Sequence, residues 1–226
     1  MSGAHSETLP LELHAGTSLS GSARRWSIYP AVKRAFDIAA TIAIAPVALP
    51  LVGVSALLVS RDGSSPFYSQ SRLGKNGKEF RIWKLRTMVP DADKVLSSYL
   101  EANPEAKAEW NAHQKLKKDP RITRVGRFLR KYSIDEFPQL FNVFNGDMSL
   151  VGPRPMCPDQ RGQYPGTAYF ELRPGMTGLW QISERHQSTF AERATYDNRY
   201  AAALSLATDL RILVMTPLVV LRGTGL

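Results

Sequence analysis

The sequence contains one cysteine, Cys157, in 226 residues. No intrachain disulfide can form, which fits a reducing compartment. The four histidines, His5, His14, His113 and His186, are scattered and lack the spacing of a zinc site. No apolar core follows Met1, which excludes a signal peptide of the ordinary kind. No internal repeat is visible. Acidic residues are in deficit: 20 Asp and Glu face 29 Lys and Arg, a formal charge of +9. A basic balance calls for an anionic partner, whether nucleic acid, anionic lipid or a phosphorylated substrate. The length suits one domain with a sizeable core or two small ones.

Charge is missing altogether from Ile38 to Ser60, a run of 23 residues preceded by Lys33, Arg34 and Asp37 and followed by Arg61 and Asp62. That length suits a membrane segment. Pro46 and Pro50 lie in its middle, and each deprives the carbonyl four residues back of its helical partner. Two arms of about 12 residues rise roughly 18 Å each, short of the roughly 30 Å of a hydrocarbon core. Positive charge flanks both ends, which favours one side of the membrane for both. The pattern predicts a re-entrant helical hairpin over residues 31–62, broken at Pro46 and Pro50, with a single kinked span as the alternative. Residues 1–30, rich in Ser, Gly, Ala and Thr, read as a disordered tail. Residues 63–226 read as the remaining, cytoplasmic domain.

Within that domain Phe67–Arg72 and Glu79–Arg86 predict two strands joined by a hairpin turn over Leu73–Gly77. The apolar phase shifts at Trp83 and Leu85, which predicts a bulge or a strand end. Asp91–Ala102 and Pro104–Lys118 predict two polar amphipathic helices. Leu204–Leu221 is apolar but interrupted by Asp209, Arg211 and Pro217, which suits an interfacial amphipathic helix better than a span.

The densest chemistry begins at Lys115. Eight Lys/Arg and one Asp fall between Lys115 and Lys131, and Ser133-Ile-Asp-Glu-Phe-Pro-Gln139 follows at once. Asp135 and Glu136 then open the apolar-periodic segment Ile134, Phe137, Leu140, Phe141, Phe144, the pattern of a short helix. At a helix N-terminus carboxylates stay ionised and can serve as nucleophile or metal ligand. Ser133 and Glu136 also have capping-box spacing, an ordinary structural use of the same residues. Arg121, Arg124 and Arg127 at three-residue steps fit a nucleic-acid stripe, but a nucleic-acid groove does not normally centre on two carboxylates. Arginines gripping phosphate oxygens beside an attacking carboxylate make better sense of the pairing, with no nucleic-acid partner. Asp197, beside a tyrosine-flanked turn, reads as a helix N-cap or, more weakly, as a further metal ligand. The loops Gly152-Pro-Arg-Pro155 and Arg173-Pro-Gly-Met-Thr-Gly-Leu-Trp-Gln181 are either plain turns or places where backbone approaches a ligand.

Six ordered motifs carry a family resemblance. They are Lys33-Arg-x-Phe-Asp37, Lys84-Leu-Arg-Thr-Met88, Asp119-Pro-Arg121, Arg130-x-x-Ser-x-Asp-Glu-x-Pro-Gln139, Gly146-Asp-Met-Ser-x-Val-Gly-Pro-Arg-Pro155 and Arg173-Pro-Gly-x-Thr-Gly-x-Trp-Gln181. Over about residues 31–226 the chain resembles the bacterial sugar transferases, the monotopic phosphoglycosyl transferases that initiate exopolysaccharide assembly. The resemblance implies a mixed α/β, mainly helical fold: a small catalytic domain on amphipathic interfacial helices with an N-terminal re-entrant membrane helix. It implies transfer of a hexose 1-phosphate, galactose or glucose, from a UDP-sugar to undecaprenyl phosphate, with release of UMP, at the cytoplasmic face of the bacterial inner membrane. It assigns Asp135 as nucleophile of a covalent phosphosugar intermediate and Glu136, with Asp135, to Mg²⁺ or Mn²⁺. Lys84, Arg86, Arg121, Arg130, Arg154 and Arg173 match basic positions around phosphates, and Pro46 matches the helix-breaking proline. Two positions depart from the family pattern: Ala45 stands where Ser often precedes that proline, and Glu184-Arg185-His186 replaces Gly-Arg-Asn. Two other functions compete. One is a non-catalytic membrane-attached protein that binds anionic lipid or nucleic acid through its basic surface. The other is a sugar–sugar glycosyl transferase that releases UDP.

Overall fold

The computed structural model of the protein describes residues 20–113, 116–183 and 189–221. The chain is mixed α/β and mainly helical, as the sequence predicts. One long helix, α1 (Ser20–Val59), is followed by the hairpin β1 (Phe67–Leu73) and β2 (Glu79–Leu85). Helices α2 (Ala92–Ala102), α3 (Pro104–His113), α4 (Arg124–Lys131) and α5 (Gln139–Asn145) come next. Then follow β3 (Ser149–Val151), α6 (Ala168–Glu171), β4 (Gly175–Thr177), α7 (Leu179–Ser183), α8 (Arg193–Ala202) and α9 (Leu206–Leu221).

Helix α1 begins at Ser20, so residues 20–30 belong to it and not to a tail, and residues 1–19 lie outside the described residues. The Tyr29 hydroxyl donates to Asp209 of α9, a long-range tie near the start of the helix. The helix is one continuous element through Pro30, Pro46 and Pro50, so the expected break at Pro46 and Pro50 into two arms is not formed: each proline forfeits an N–H without ending the helix. Asp37, Thr41, Ala48, Ser55 and Val59 are its buried positions, at steps of four and seven that keep them on one face. Ile42, Val47, Leu49, Val54 and Leu57 are exposed. Residues Ile28–Asp62 are long and apolar enough to cross a membrane, judged by length and composition.

The motif at Lys33–Asp37 docks this helix. Lys33 pairs with Asp209, Arg34 donates to the carbonyls of Val143 and Phe144 at the end of α5, and Asp37 accepts from Ser149 Oγ and Leu150 N–H of β3. A guanidinium on the last carbonyls of a helix satisfies acceptors that otherwise lack partners.

Strands β1 and β2 pair antiparallel from Phe67↔Leu85 to Leu73↔Glu79 without interruption. No bulge accompanies the apolar phase shift. Ile82 enters the main core with Val143, Leu150 and Tyr200, whereas Leu85, on the other face, joins Val59 and Leu129. Both faces of the strand end are covered, which removes the alternation. The turn between the strands uses positive φ at Asn76 and Gly77.

Strands β3 and β4 pair in parallel, bringing together the two glycine-bearing loops. A Cβ on Gly175 would lie 2.1 Å from Gly152 N, and one on Gly178 would lie 2.1 Å from Gly152 O. These glycines serve backbone-to-backbone approach between the loops. Val143 and Met148 are fully buried at this junction, each contributing about 2 kcal/mol by burial alone.

Candidate active site

Asp135 and Glu136 do not sit in the first turn of an α-helix. They form a single 3₁₀ turn, Ile134–Glu136, between α4 and α5. Ser133 before it is left-handed, with φ 54°, and its side chain makes no cap. The capping-box reading therefore fails, and so does the argument from a helix dipole. Glu136 N–H and Phe137 N–H close the turn on Ser133 O and Ile134 O, and Pro138 brings no N–H to extend it. At 3.0 residues per turn, adjacent side chains diverge by about 120°.

Burial sets the electrostatics here. Asp135 is 8% exposed. Desolvation pushes its carboxyl up to about 6; Glu136 pushes the same way, while Lys84 and Arg130 pull it down. The carboxyl is therefore a weaker acid than the sequence suggests, yet it stays mostly ionised at pH 7. Glu136 is anchored by Lys84 at 2.7 Å, with Arg154 at 3.8 Å from the same oxygen.

Around this turn lies a cleft of about 710 Å³. Its lining includes Lys84, Arg86, Arg130, Asp135, Glu136 and Arg154. Arg130 comes from α4, whose N-cap Thr123 accepts from Gly126 N–H, and its Nε donates to Thr87 Oγ1. Lys84 comes from β2. Arg154 projects from the rigid Gly152–Pro155 turn. The structure thus brings Lys84 to both carboxylates, Arg130 to Asp135 and Arg154 to Glu136.

The other three basic positions are engaged elsewhere. Arg86 lines the cleft, yet its guanidinium is clasped by Asp62 at 2.7 and 2.8 Å and by the carbonyls of Val59, Ser65 and Met88. Arg121 precedes α4, pairs with Asp119 at 2.7 Å and stacks on Trp110, outside the cleft lining. Arg173 donates to Gly146 O and faces a different pocket, beside Arg34 and Asp37. Asp197 is no N-cap: it lies inside α8, buried, and accepts from the Tyr164 hydroxyl at 2.7 Å. Residues Glu184–His186 lie outside the described residues.

Two cleft-side cations had no sequence motif behind them, Arg72 and Arg193. A signal for Arg72 existed in the hairpin register. Tyr68 pairs with Lys84 and Arg72 pairs with Phe80, so two-residue alternation places Arg72 on the Lys84 face. Arg193 had no such local signal.

Comparison with known proteins decides the family. The model described as "Bacterial sugar transferase" matches residues 28–223. The chain belongs to the bacterial sugar transferase family. It is 44% identical over 196 residues to the UDP-galactose-lipid carrier transferase of Erwinia amylovora, covering 86% of this chain and 41% of that protein. It is 46% identical over 196 residues to the undecaprenyl-phosphate galactose phosphotransferase of Salmonella typhimurium, with 86% and 41% coverage. The exopolysaccharide production protein ExoY of Rhizobium meliloti is 45% identical over 187 residues, covering 81% of this chain and 83% of that relative. The chain thus spans about two fifths of the length of the first two relatives and most of the third.

Proposed function

We propose that the chain transfers a hexose 1-phosphate from a UDP-sugar to undecaprenyl phosphate, releasing UMP, as a membrane step of exopolysaccharide biosynthesis. The observation that carries the reading is a buried carboxylate, Asp135, in a cleft where Lys84, Arg130 and Arg154 converge. In the first half-reaction an Asp135 oxygen bonds to the β-phosphorus and the bond to the bridging oxygen breaks. UMP departs with that oxygen and the electron pair. In the second, a lipid phosphate oxygen attacks the same phosphorus and the Asp135 carboxylate leaves. One difficult transfer becomes two. Lys84 and Arg154 are placed to offset phosphate charge that would repel an anionic nucleophile. The relatives named for galactose support a hexose donor.

Asp135 and Glu136 suit a hard divalent cation, Mg²⁺ or Mn²⁺, which is commonly held by one or two carboxylates plus substrate phosphates. Among the described residues no group of three or more His, Cys, Asp or Glu converges. Such a cation would supply charge neutralisation at the diphosphate.

The membrane reading has two supports. Leu206, Leu210, Val214, Leu218 and Leu221 form an exposed apolar stripe along α9, the pattern of an interfacial helix. An apolar groove of about 400 Å³, with Ile44, Phe137, Leu140, Leu213 and Val220 in its wall, reaches Glu136 and suits a prenyl chain. We assign α1 a re-entrant path with both ends cytoplasmic. In a Cys157→Ser background, cysteines placed before Lys33 and after Arg61 should both resist a periplasmic thiol reagent. Labelling at one end alone establishes a span.

The activity test is UMP release across a panel of UDP-sugars with undecaprenyl phosphate and Mg²⁺. UMP from at least one UDP-hexose, abolished by chelator, supports the reading. Release of UDP identifies a sugar–sugar transferase. Salt-sensitive binding of DNA or anionic vesicles without any UMP identifies the non-catalytic alternative.

A further inference from the structure

We propose that Arg72, Arg154 and Arg193 form a second phosphate subsite, beside the turn that carries Asp135 and Glu136. The ligand class is a phosphate monoester. In the proposed reaction, on which the naming of the ligands rests, two such groups meet the phosphosugar: the departing nucleotide and the arriving lipid phosphate.

The three guanidiniums, with Lys84, line a pocket of about 210 Å³ against Glu136. Arg72, Lys84, Glu136 and Arg154 line both this pocket and the main cleft, so the two are continuous, and Arg193 belongs to this pocket alone of the two. Arg193 lies between two rings, 4.2 Å from the centroid of Trp180 and 4.9 Å from that of Phe190. Its Nε is buried and has no hydrogen-bond partner. Arg72 donates to neutral acceptors, Gln70 Oε1 and Cys157 Sγ. Arg154 has Glu136 as its ion-pair partner among the described residues, at 3.8 Å, and Lys84 already holds that oxygen.

The cluster repels itself. Burial, and then the charges of Arg154 and Arg72, lower the pKa of Arg193 to about 10, with Asp197 offsetting part. Arg72 is lowered by burial and then by Arg154, with Asp159 the facing acid. Three buried or half-buried guanidiniums sharing so little counter-charge make a site for an anion, and planar forks match phosphate oxygens. The aromatic sandwich fixes the Arg193 plane in advance, so little freedom is lost on binding.

Trp180 gives a readout that does not depend on turnover. The full chain carrying Asp135→Asn, in detergent micelles, is titrated with UMP and separately with undecaprenyl phosphate, following tryptophan emission that disappears in Trp180→Phe. Arg193→Gln, Arg72→Gln and Arg154→Gln should each raise the Kd at least tenfold for one or both ligands. Arg127→Gln, which removes an exposed charge from α4, should change it less than twofold. A rise for UMP alone assigns the nucleotide, a rise for the lipid alone assigns the acceptor, and a rise for both assigns one shared subsite. Unchanged affinity for both ligands in all three variants overturns the proposal, as does an equal loss in Arg127→Gln. Thermal melting checks each variant's fold, and Arg193→Lys, which keeps charge without the fork, should fall between wild type and Gln. If no UDP-sugar yields UMP while these shifts persist, the transferase reading fails and the subsite stands.

Discussion

Two sets of arginines share one small protein and one residue type, and their surroundings divide their work. Arg86, Arg121, Arg34 and Arg173 are satisfied by the protein: Asp62, Asp119, the end of α5 and Gly146 O hold them. Arg72, Arg130, Arg154 and Arg193 gather beside the Asp135 turn with little carboxylate of their own. A guanidinium whose bonds the protein itself satisfies, by a carboxylate or by backbone carbonyls, stabilises a joint between elements. One that lacks it is desolvated at a cost that a bound anion removes.

The strongest test of that division removes one member of each set. Arg154→Ala should lower kcat/KM for UMP release by about 100-fold or more, the scale of losing one preorganised charge contact, about 3 kcal/mol. Its melting temperature should stay within a few degrees of wild type, or rise, because a repulsive neighbour is gone. Arg121→Ala should do the reverse. Breaking its bonds to Asp119 and its contact with Trp110 should cost about 2 kcal/mol in denaturant unfolding while kcat/KM changes severalfold at most. If Arg121→Ala proves the more damaging to turnover at a temperature where it is folded, the division is wrong.

Much of this contrast was invisible in sequence. The hairpin, the polar helices and the basic run before Asp135 were legible because periodicity and turn residues act locally. Lys84, Arg130 and Arg154 were legible as members of family motifs. Arg121 and Arg173 sit in motifs as well, and there the motif serves the fold: a partner two residues away for Arg121, a backbone carbonyl of another loop for Arg173. Arg193 owes its place to Trp180 and Phe190, contacts that no spacing encodes. The left-handed Ser133 was missed because Ser, Asp and Glu are ordinary helix starters, and the same letters fit a cap. The re-pairing of Gly152 with Gly175 and Gly178 required the parallel strand contact, which is long-range.

The pH dependence sharpens the electrostatic half of the comparison. Asp135 attacks only when deprotonated, and burial raises its carboxyl to about 6. The kcat/KM of intermediate formation should therefore rise with pH and level off above that value. Glu136 adds to the rise in pKa, so Glu136→Gln should move the inflection to lower pH while lowering the plateau. An inflection that moves upward contradicts the assignment.

Asp197 should show its effect in the pH dependence of stability. Its pKa, raised by burial from 3.8 to about 6, means the folded state holds a proton that the unfolded state releases. The folded state binds more protons between those values, so stability should fall as pH rises through that window. A shift of that size corresponds to at most about 3 kcal/mol. Asp197→Asn, which keeps an acceptor for the Tyr164 hydroxyl, should flatten the slope measured by denaturant unfolding between pH 4 and 6.

The central claim is that Asp135 itself takes up the phosphosugar. Protein is incubated with a UDP-hexose labelled in its β-phosphate, with Mg²⁺ and no lipid acceptor, then digested and mapped by mass spectrometry. Wild type should carry the label on the peptide containing Asp135, Glu136→Gln should label slowly, and Asp135→Asn should not label at all. Label retained in Asp135→Asn, or an unlabelled wild type that yields UMP only when lipid phosphate is added, would contradict the two-step account in favour of direct attack by the lipid phosphate.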